Sequence, residues 1–272
     1  MMPTNSVSAK GKPQPGASPG TYIFKDDYED VPQIRIMTNE EWMRMTEGAR
    51  KGNYSWDKEH WLEKGWMTPE GNYEFETRPS IAEVTSEAAR NGSRSVKMSV
   101  PPAPEGYLMA TRGMARYFRN DSIVNPGTYR VEAWFYVPSG SNLKAYLSFE
   151  DHLDWKESHH PNVVLDAENG NIGYYDEEYR TGYKILDKVS FACDTWFKLF
   201  LVFKTGQQQH YTVGYESPDL SVSMTFRINE VWTAANIWYV GIEAFNVYAG
   251  ALNTNHVSEE IIYVDDFSTQ LT

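Results

Sequence analysis

The chain of 272 residues contains one cysteine, Cys193, which excludes an internal disulfide framework and a cysteine-rich zinc site. It has no run approaching the ~18 to 20 consecutive apolar residues of a membrane-spanning helix, and residues 1–20 lack the apolar middle of a secretory signal. Basic residues are outnumbered, 25 Lys and Arg against 37 Asp and Glu, for a formal net charge of −12. Such a field repels nucleic acid and anionic membranes, so neither nucleic-acid binding nor membrane insertion is expected. No repeat of ~20 to 50 residues is visible, which argues against solenoids and propellers. What the chain has in quantity is aromatic side chains, 14% of residues, too many for a disordered chain and enough for a large core.

Residues 1–20 hold Pro3, Pro13, Pro15, Pro19, Gly11, Gly16 and Gly20 among Ser, Thr and Lys, the composition of a disordered leader or linker. Residues 21–272 are expected to form a single domain. Short stretches of β-branched and aromatic residues alternate with polar ones and are punctuated by Asn125-Pro126-Gly127, Pro138-Ser139-Gly140, Asn169-Gly170 and Thr205-Gly206. Arg94–Val100, Thr128–Val137, Leu143–Phe149, Trp196–Phe203, Tyr211–Tyr215, Ser221–Ile228, Ile237–Phe245 and Glu260–Phe267 are the clearest predicted strands. In Thr128–Val137 the odd positions are core, whereas Arg130, Glu132, Trp134 and Tyr136 make a second face able to meet a ligand. Trp196–Phe203 is apolar almost throughout and belongs in the middle of a sheet. Helix signals occur only in residues 38–65, where Thr38 and Glu41 form a capping box and Ser55 can cap a second helix. Trp42, Trp56, Trp61 and Trp66 would pin this insertion to the sheets. The expected fold is an all-β, antiparallel, two-sheet jelly-roll sandwich with one or two short inserted helices.

Three segments carry a resemblance. Phe24-Lys25-Asp26-Asp27-Tyr28-Glu29-Asp30 lies at the front, Asn91-Gly92-Ser93-Arg94-Ser95-Val96-Lys97-Met98 follows, and Ile261-Ile262-Tyr263-Val264-Asp265-Asp266-Phe267-Ser268 closes the chain. In this order they resemble the jelly-roll carbohydrate-binding modules and the concanavalin A-like, LamG-like sandwiches of polysaccharide-active proteins. The resemblance implies a structural calcium ion (Ca2+) held by Glu29 and by Asp266 or Asp265. Calcium takes six to eight hard oxygens, which carboxylates from both chain ends and nearby carbonyls supply. Strand alternation puts Asp265 and Asp266 on opposite faces unless a bulge intervenes, so Asp266, on the side of Val264, is preferred. Tyr28 and Asp30 stand where the family usually has phenylalanine and glycine.

The resemblance also implies a polysaccharide partner, an extracellular or cell-surface setting and attachment to a larger carbohydrate-active protein. Glycan grooves combine flat rings with polar side chains, and Trp155, Tyr175 and Tyr179 sit in segments of that composition. No G-x-S-x-G, P-loop or hydrolase carboxylate pattern is present, and the expected function is non-catalytic polysaccharide binding. One alternative is a polysaccharide lyase acting on a uronate glycan. Residues 90–130 carry seven basic residues against only Glu105 and Asp121, and Arg112, Arg116, Tyr117 and His152 would form its site. A protein-interaction or adhesive surface is the third reading.

Overall fold

The structure is a computed structural model that describes residues 20, 22–37, 66–69, 81–103, 110–119, 127–151, 157–175, 183–189, 193–205, 210–219, 221–229, 233–235, 244–253 and 257–272. Among them no helix occurs. The strands are β1 (Tyr22–Asp26), β2 (Arg35–Met37), β3 (Met67–Pro69), β4 (Ile81–Thr85), β5 (Ser95–Val100), β6 (Ala110–Arg119), β7 (Thr128–Tyr136), β8 (Leu143–Asp151) and β9 (Glu157–His159). They continue with β10 (Asn162–Asp166), β11 (Asn171–Tyr175), β12 (Tyr183–Lys188), β13 (Trp196–Lys204), β14 (Tyr211–Glu216), β15 (Ser223–Ile228), β16 (Thr233–Ala235), β17 (Ala244–Asn253) and β18 (Glu260–Leu271). The helices expected in residues 38–65 and all but Gly20 of the leader expected at residues 1–20 lie outside the described residues; Gly20 N donates to Leu271 O at 2.7 Å. Of the strand expected at Ile237–Phe245, residues 237–243 lie outside the described residues, and Ala244 and Phe245 open β17.

Two sheets result. The eight-stranded sheet runs β15-β14-β13-β7-β18-β5-β4, with β1 also pairing β18. The ten-stranded sheet runs β12-β11-β10-β8-β17-β6-β3-β2, with β9 on β8 and β16 on β9. Neighbours are antiparallel except β2 and β3. The chain is thus the antiparallel sandwich expected from its alternation.

Alternation decides which residues the sheets enclose. Tyr129, Val131, Ala133, Phe135 and Val137 of β7 and its end face inward, as do Phe197, Leu199, Leu201 and Phe203 of β13 and Ala145, Leu147 and Phe149 of β8. Phe149 and Phe203 meet across the two layers with ring centroids 3.9 Å apart. Strand β13 lies between β14 and β7, in the middle of the sheet as expected; its outward Phe200 is only 3% exposed, but the outward Trp196, Lys198, Val202 and Lys204 are half-buried, so the second face is only partly covered. Trp66 enters the core beside Phe24, Tyr28 and Phe267, and its indole N–H donates to Asp26 Oδ2 at 2.9 Å. This is the anchoring role expected of it.

The last strand has two partners in succession on one side. Glu260–Val264 pairs β5, whereas Phe267–Gln270 pairs β1; β7 lies along the other side from Tyr263 to Leu271. Between the two stretches the register with β7 slips by one residue, and Asp266 has φ of 45°. This is a β-bulge.

Because Phe149 is fully buried and joins both layers, Phe149→Ala is expected to cost about 3–5 kcal/mol, read as a lower denaturant midpoint at unchanged slope.

Candidate functional site

Two neighbouring places on the outer face of the eight-stranded sheet concentrate polar and aromatic side chains. The first is the seam where β18 changes partner. Glu29, just after β1, accepts hydrogen bonds from Ser93 N and Arg94 N at Oε1 and from Ser93 Oγ at Oε2, each 2.8 Å. A Cβ at position 92 would lie 2.5 Å from Glu29 Oε1, and the backbone there has φ of 69°, so this crossing requires Gly92. Asp265 Oδ2 accepts from Arg90 N at 2.8 Å, and its Oδ1 accepts from Asp266 N at 2.8 Å. Asp266 Oδ2 accepts from Arg90 Nη1 and from Asn91 Nδ2, each 2.6 Å.

The bulge places Asp265 on the outer face opposite Trp134, returns Phe267 to the core and leaves Asp266 between them. Hence both aspartates reach the same loop, and the expectation that Asp266 shares the side of Val264 is corrected by the bulge. The donors facing Glu29, Asp265 and Asp266 are N–H and O–H groups, and two guanidinium groups stand among them: Arg94, whose Nη1 donates to the Glu29 carbonyl at 2.9 Å, and Arg90, which also lies 3.6 Å over the Trp134 ring. A calcium ion at these residues would have to displace Arg90 and Asn91 from Asp266.

The second place is a row of rings. Trp196, Tyr136 and Tyr263 are directly opposite one another on β13, β7 and β18, and the row continues through Lys97 on β5 to Glu83 on β4. Ring centroids are 5.6 Å apart for Tyr136 and Trp196 and 5.7 Å for Tyr136 and Tyr263. Trp196 and Tyr136 are half-buried, and Tyr263 closes the inner end at 8% exposure. Tyr136 donates its hydroxyl to Asp194 Oδ1 at 3.3 Å, where Asp194 is held by Ser139 N. Tyr263 donates to Glu87 Oε2 at 2.9 Å, and Lys97 Nζ donates to both oxygens of Glu87 at 2.8 Å. Burial, then the hydrogen bond to Glu87 and its charge, push the Tyr263 phenol up to about 12; burial and Asp194 raise Tyr136. Both phenols therefore stay protonated and serve as hydrogen-bonding groups, not as bases.

Below this row the same face is closed. Arg130 lies 3.8 Å over Phe200 and pairs with Glu132 at 2.6 Å and Glu216 at 3.0 Å, while Lys198 pairs with Glu216 at 2.5 Å. Cations cover the flat sides of Trp134 and Phe200, while the half-buried Trp196 end of the row stays uncovered, and on β1 Tyr22, opposite Gln270, is 53% exposed.

The outer face of the ten-stranded sheet is different. Tyr146, Val164, Tyr175 and Leu252 form a second small apolar cluster against Tyr183, beside the Lys144–Asp166 ion pair at 2.6 Å. The Asn162 side chain binds both Tyr175 N and Tyr175 O, extending the ladder between β10 and β11. Tyr175 is 2% exposed. Tyr175, expected to stack on a ligand, here packs against Tyr183 on a strand that is buried along its whole length. Trp155, Tyr179 and His152 lie outside the described residues. Arg112 and Arg116 occupy β6 positions of the same parity as core Met114, and Tyr117 has the opposite parity, so the three positions do not share one face of the sheet. The ring row was missed because its members lie on three strands far apart in sequence; only the Trp134–Tyr136 half of β7 signalled it.

No protein-family model matches the chain, and no curated protein does. Similar solved structures include a carbohydrate esterase from Shiga toxin-encoding bacteriophage phi24B, at 13% identity, covering 93% of this chain and 99% of that one, with a TM-score of 0.48. An endo-β-1,4-glucuronan lyase from the fungus Trichoderma reesei matches at 13% identity over 78% and 93% of the two chains, TM-score 0.46. Lectin II from Ulex europaeus matches at 11% identity over 71% and 91%, TM-score 0.43.

The seam responds to acid in two opposed ways. The Ser93 backbone N–H and hydroxyl hold Glu29 below its ordinary 4.5, so its contribution is present above that value and is lost as pH falls through the folded pKa. Burial pushes Asp265 up to about 6, so its ionised form opposes folding and the opposition disappears as pH falls through that value. The melting temperature is expected to hold or rise from neutral pH to about 4.5, where the Asp265 gain is still growing, and to fall only below about 3.8, with a shallower acid limb in Glu29→Gln, as thermal melts across pH will show.

Proposed function

We propose that this chain is a non-catalytic glycan-binding β-sandwich whose ligand lies along the Trp196–Tyr136–Tyr263 row. The observation supporting this reading is the row itself: rings able to stack on the C–H face of a sugar, bordered by Asp194, Glu87 and Lys97 for its hydroxyls. The neighbouring rings are inclined by 51° and 77°, so they share no plane. A single glycan chain or its end fits such a surface better than a flat crystalline face does. The net charge of −12 and the row's flanking carboxylates favour a neutral glycan over a polyuronate. The setting in this reading is extracellular or at the cell surface, beside or within a larger carbohydrate-active protein.

Affinity electrophoresis against a panel of neutral and uronate polysaccharides tests the proposal. Retardation by a neutral glycan is expected, with Trp196→Ala weakening it by about tenfold, roughly 1.4 kcal/mol, at an unchanged melting temperature. Growth of ultraviolet absorbance from unsaturated uronate ends would establish the lyase instead. Mobility unchanged by every glycan would end the glycan-binding reading.

Calcium belongs to the proposal as an ion that ties Glu29 and Asp266 together in place of Arg90. EDTA is then expected to lower the melting temperature, and Glu29→Ala to abolish that response. A melt indifferent to EDTA and to added calcium removes the ion.

A further inference from the structure

We propose that the free edge of the eight-stranded sheet pairs with the same edge of a second copy of this chain, antiparallel, about a two-fold axis passing beside Thr225. The edge is β15, whose inner side pairs β14 in unbroken register from Tyr211 with Ile228 to Glu216 with Ser223. Among the described residues no strand pairs with its outer side. A long regular edge exposes a row of unpaired N–H and C=O groups, and edges that stay single are normally blunted by bulges, inward charges, proline or brevity. The other edges among the described residues are blunted, β16 by its length of three residues and β1 by a break in its register with β18. At the far end of the ten-stranded sheet β2 has three residues, and β12 carries a bulge together with Lys184 and Lys188. At the far end of the eight-stranded sheet β4 presents exposed Glu83. Strand β15, Ser-Met-Thr-Phe-Arg-Ile, has no bulge, no proline and one charge.

The sequence of this edge is complementary to itself. A two-fold axis perpendicular to the sheet keeps each face on its own side and opposes residues whose numbers are symmetric about 225. Thr225 then meets Thr225 of the second copy, and Ser223 meets Arg227, all on the outer face where these three are exposed. On the other face Met224 meets Phe226. Both are half-buried at the rim of the core and packed against it, so the pairing extends the core across the junction through a sulfur–aromatic contact at each end. No like charges oppose one another. Arg227 points instead toward the β14–β15 turn of the second copy, where Ser217 and Ser221 hydrogen-bond the Asp219 carboxylate and hold it down to about 2, anionic at any ordinary pH. Each dimer would contain two such Arg227–Asp219 approaches, related by the symmetry.

One strand pair buries less surface than a standard protein interface, so the dimer is concentration-dependent and sensitive to salt. Sedimentation velocity of the full chain over a dilution series should show the mass rising from one chain toward two. Thr225→Lys opposes two ammonium groups at the axis while leaving the core untouched, and the mass should then stay at one chain with an unaltered melt. In a Cys193→Ser background, Thr225→Cys places the two sulfurs directly opposite, at a Cα separation of about 4.5–5.5 Å that a disulfide accepts. Oxidation should yield a covalent dimer, whereas Arg227→Cys, which meets Ser223, should yield none. A single-chain mass at every concentration, a dimer indifferent to Thr225→Lys, or an uncrosslinked Thr225→Cys would each overturn the proposal.

Discussion

The bulge at Asp265–Asp266 is the constraint on which this architecture turns. A last strand of twelve residues cannot follow two different partners on one side without a break in its ladder, and the break falls where β5 ends and β1 begins. Opening the strand leaves backbone and carboxylate groups that need partners, and the loop from Arg90 to Arg94 provides them. Glu29 closes the gap from the other side. The core beneath depends on the same break, because the extra residue returns Phe267 to the inside, where it meets Trp66 at 4.9 Å and Phe24 at 6.2 Å. Chain ends some 240 residues apart are thus held in one corner by a single irregular residue.

Net charge describes this surface poorly. The surplus of acid is large, yet on the outer face of the eight-stranded sheet most carboxylates have a cation or an N–H at hand: Arg130 and Lys198 for Glu132 and Glu216, Arg90 for Asp266, Lys97 for Glu87. The basic segment around residues 90–130, which in the sequence hints at an anion-binding groove, is spent in part on these pairs. Arg90 and Arg130 lie over Trp134 and Phe200, so the same cations that neutralise the face also withdraw two of its rings from any ligand. What remains open is the Trp196 end of the upper row, where carboxylates orient phenol hydroxyls from the flanks.

Much of the fold was legible because strand alternation is local. In β7 every second residue is apolar, and each of those residues is buried; in β13 the almost continuous apolar run does correspond to a strand in the middle of a sheet, fully buried on its inner face and half-buried on most of its outer one. The three motif segments lie together through their donors, Glu29 beside Ser93 and Arg94, and Asp265 and Asp266 beside Arg90 and Asn91, while no group of three or more acidic, histidine or cysteine side chains among the described residues is arranged to hold a metal ion. Misreadings arose where composition stood in for position. The tyrosine-rich stretch from Tyr174 to Tyr183 looks too polar for a core, but Tyr174 and Tyr175 are buried on β11 between β10 and β12, and the Asn162 side chain takes up the backbone N–H and C=O of Tyr175.

By itself the sequence determined the class of fold, the faces of its regular strands and the residues that join its two ends, since these follow from period-two patterning and from turn chemistry written in neighbouring positions. Only the tertiary structure decided which carboxylates answer which donors, which tyrosines are packing and which border solvent, and which sheet edge lacks a neighbour. Those outcomes depend on one inserted residue in β18 and on strand order, and strand order brings together residues such as Trp196, Tyr136 and Tyr263 that no local pattern connects.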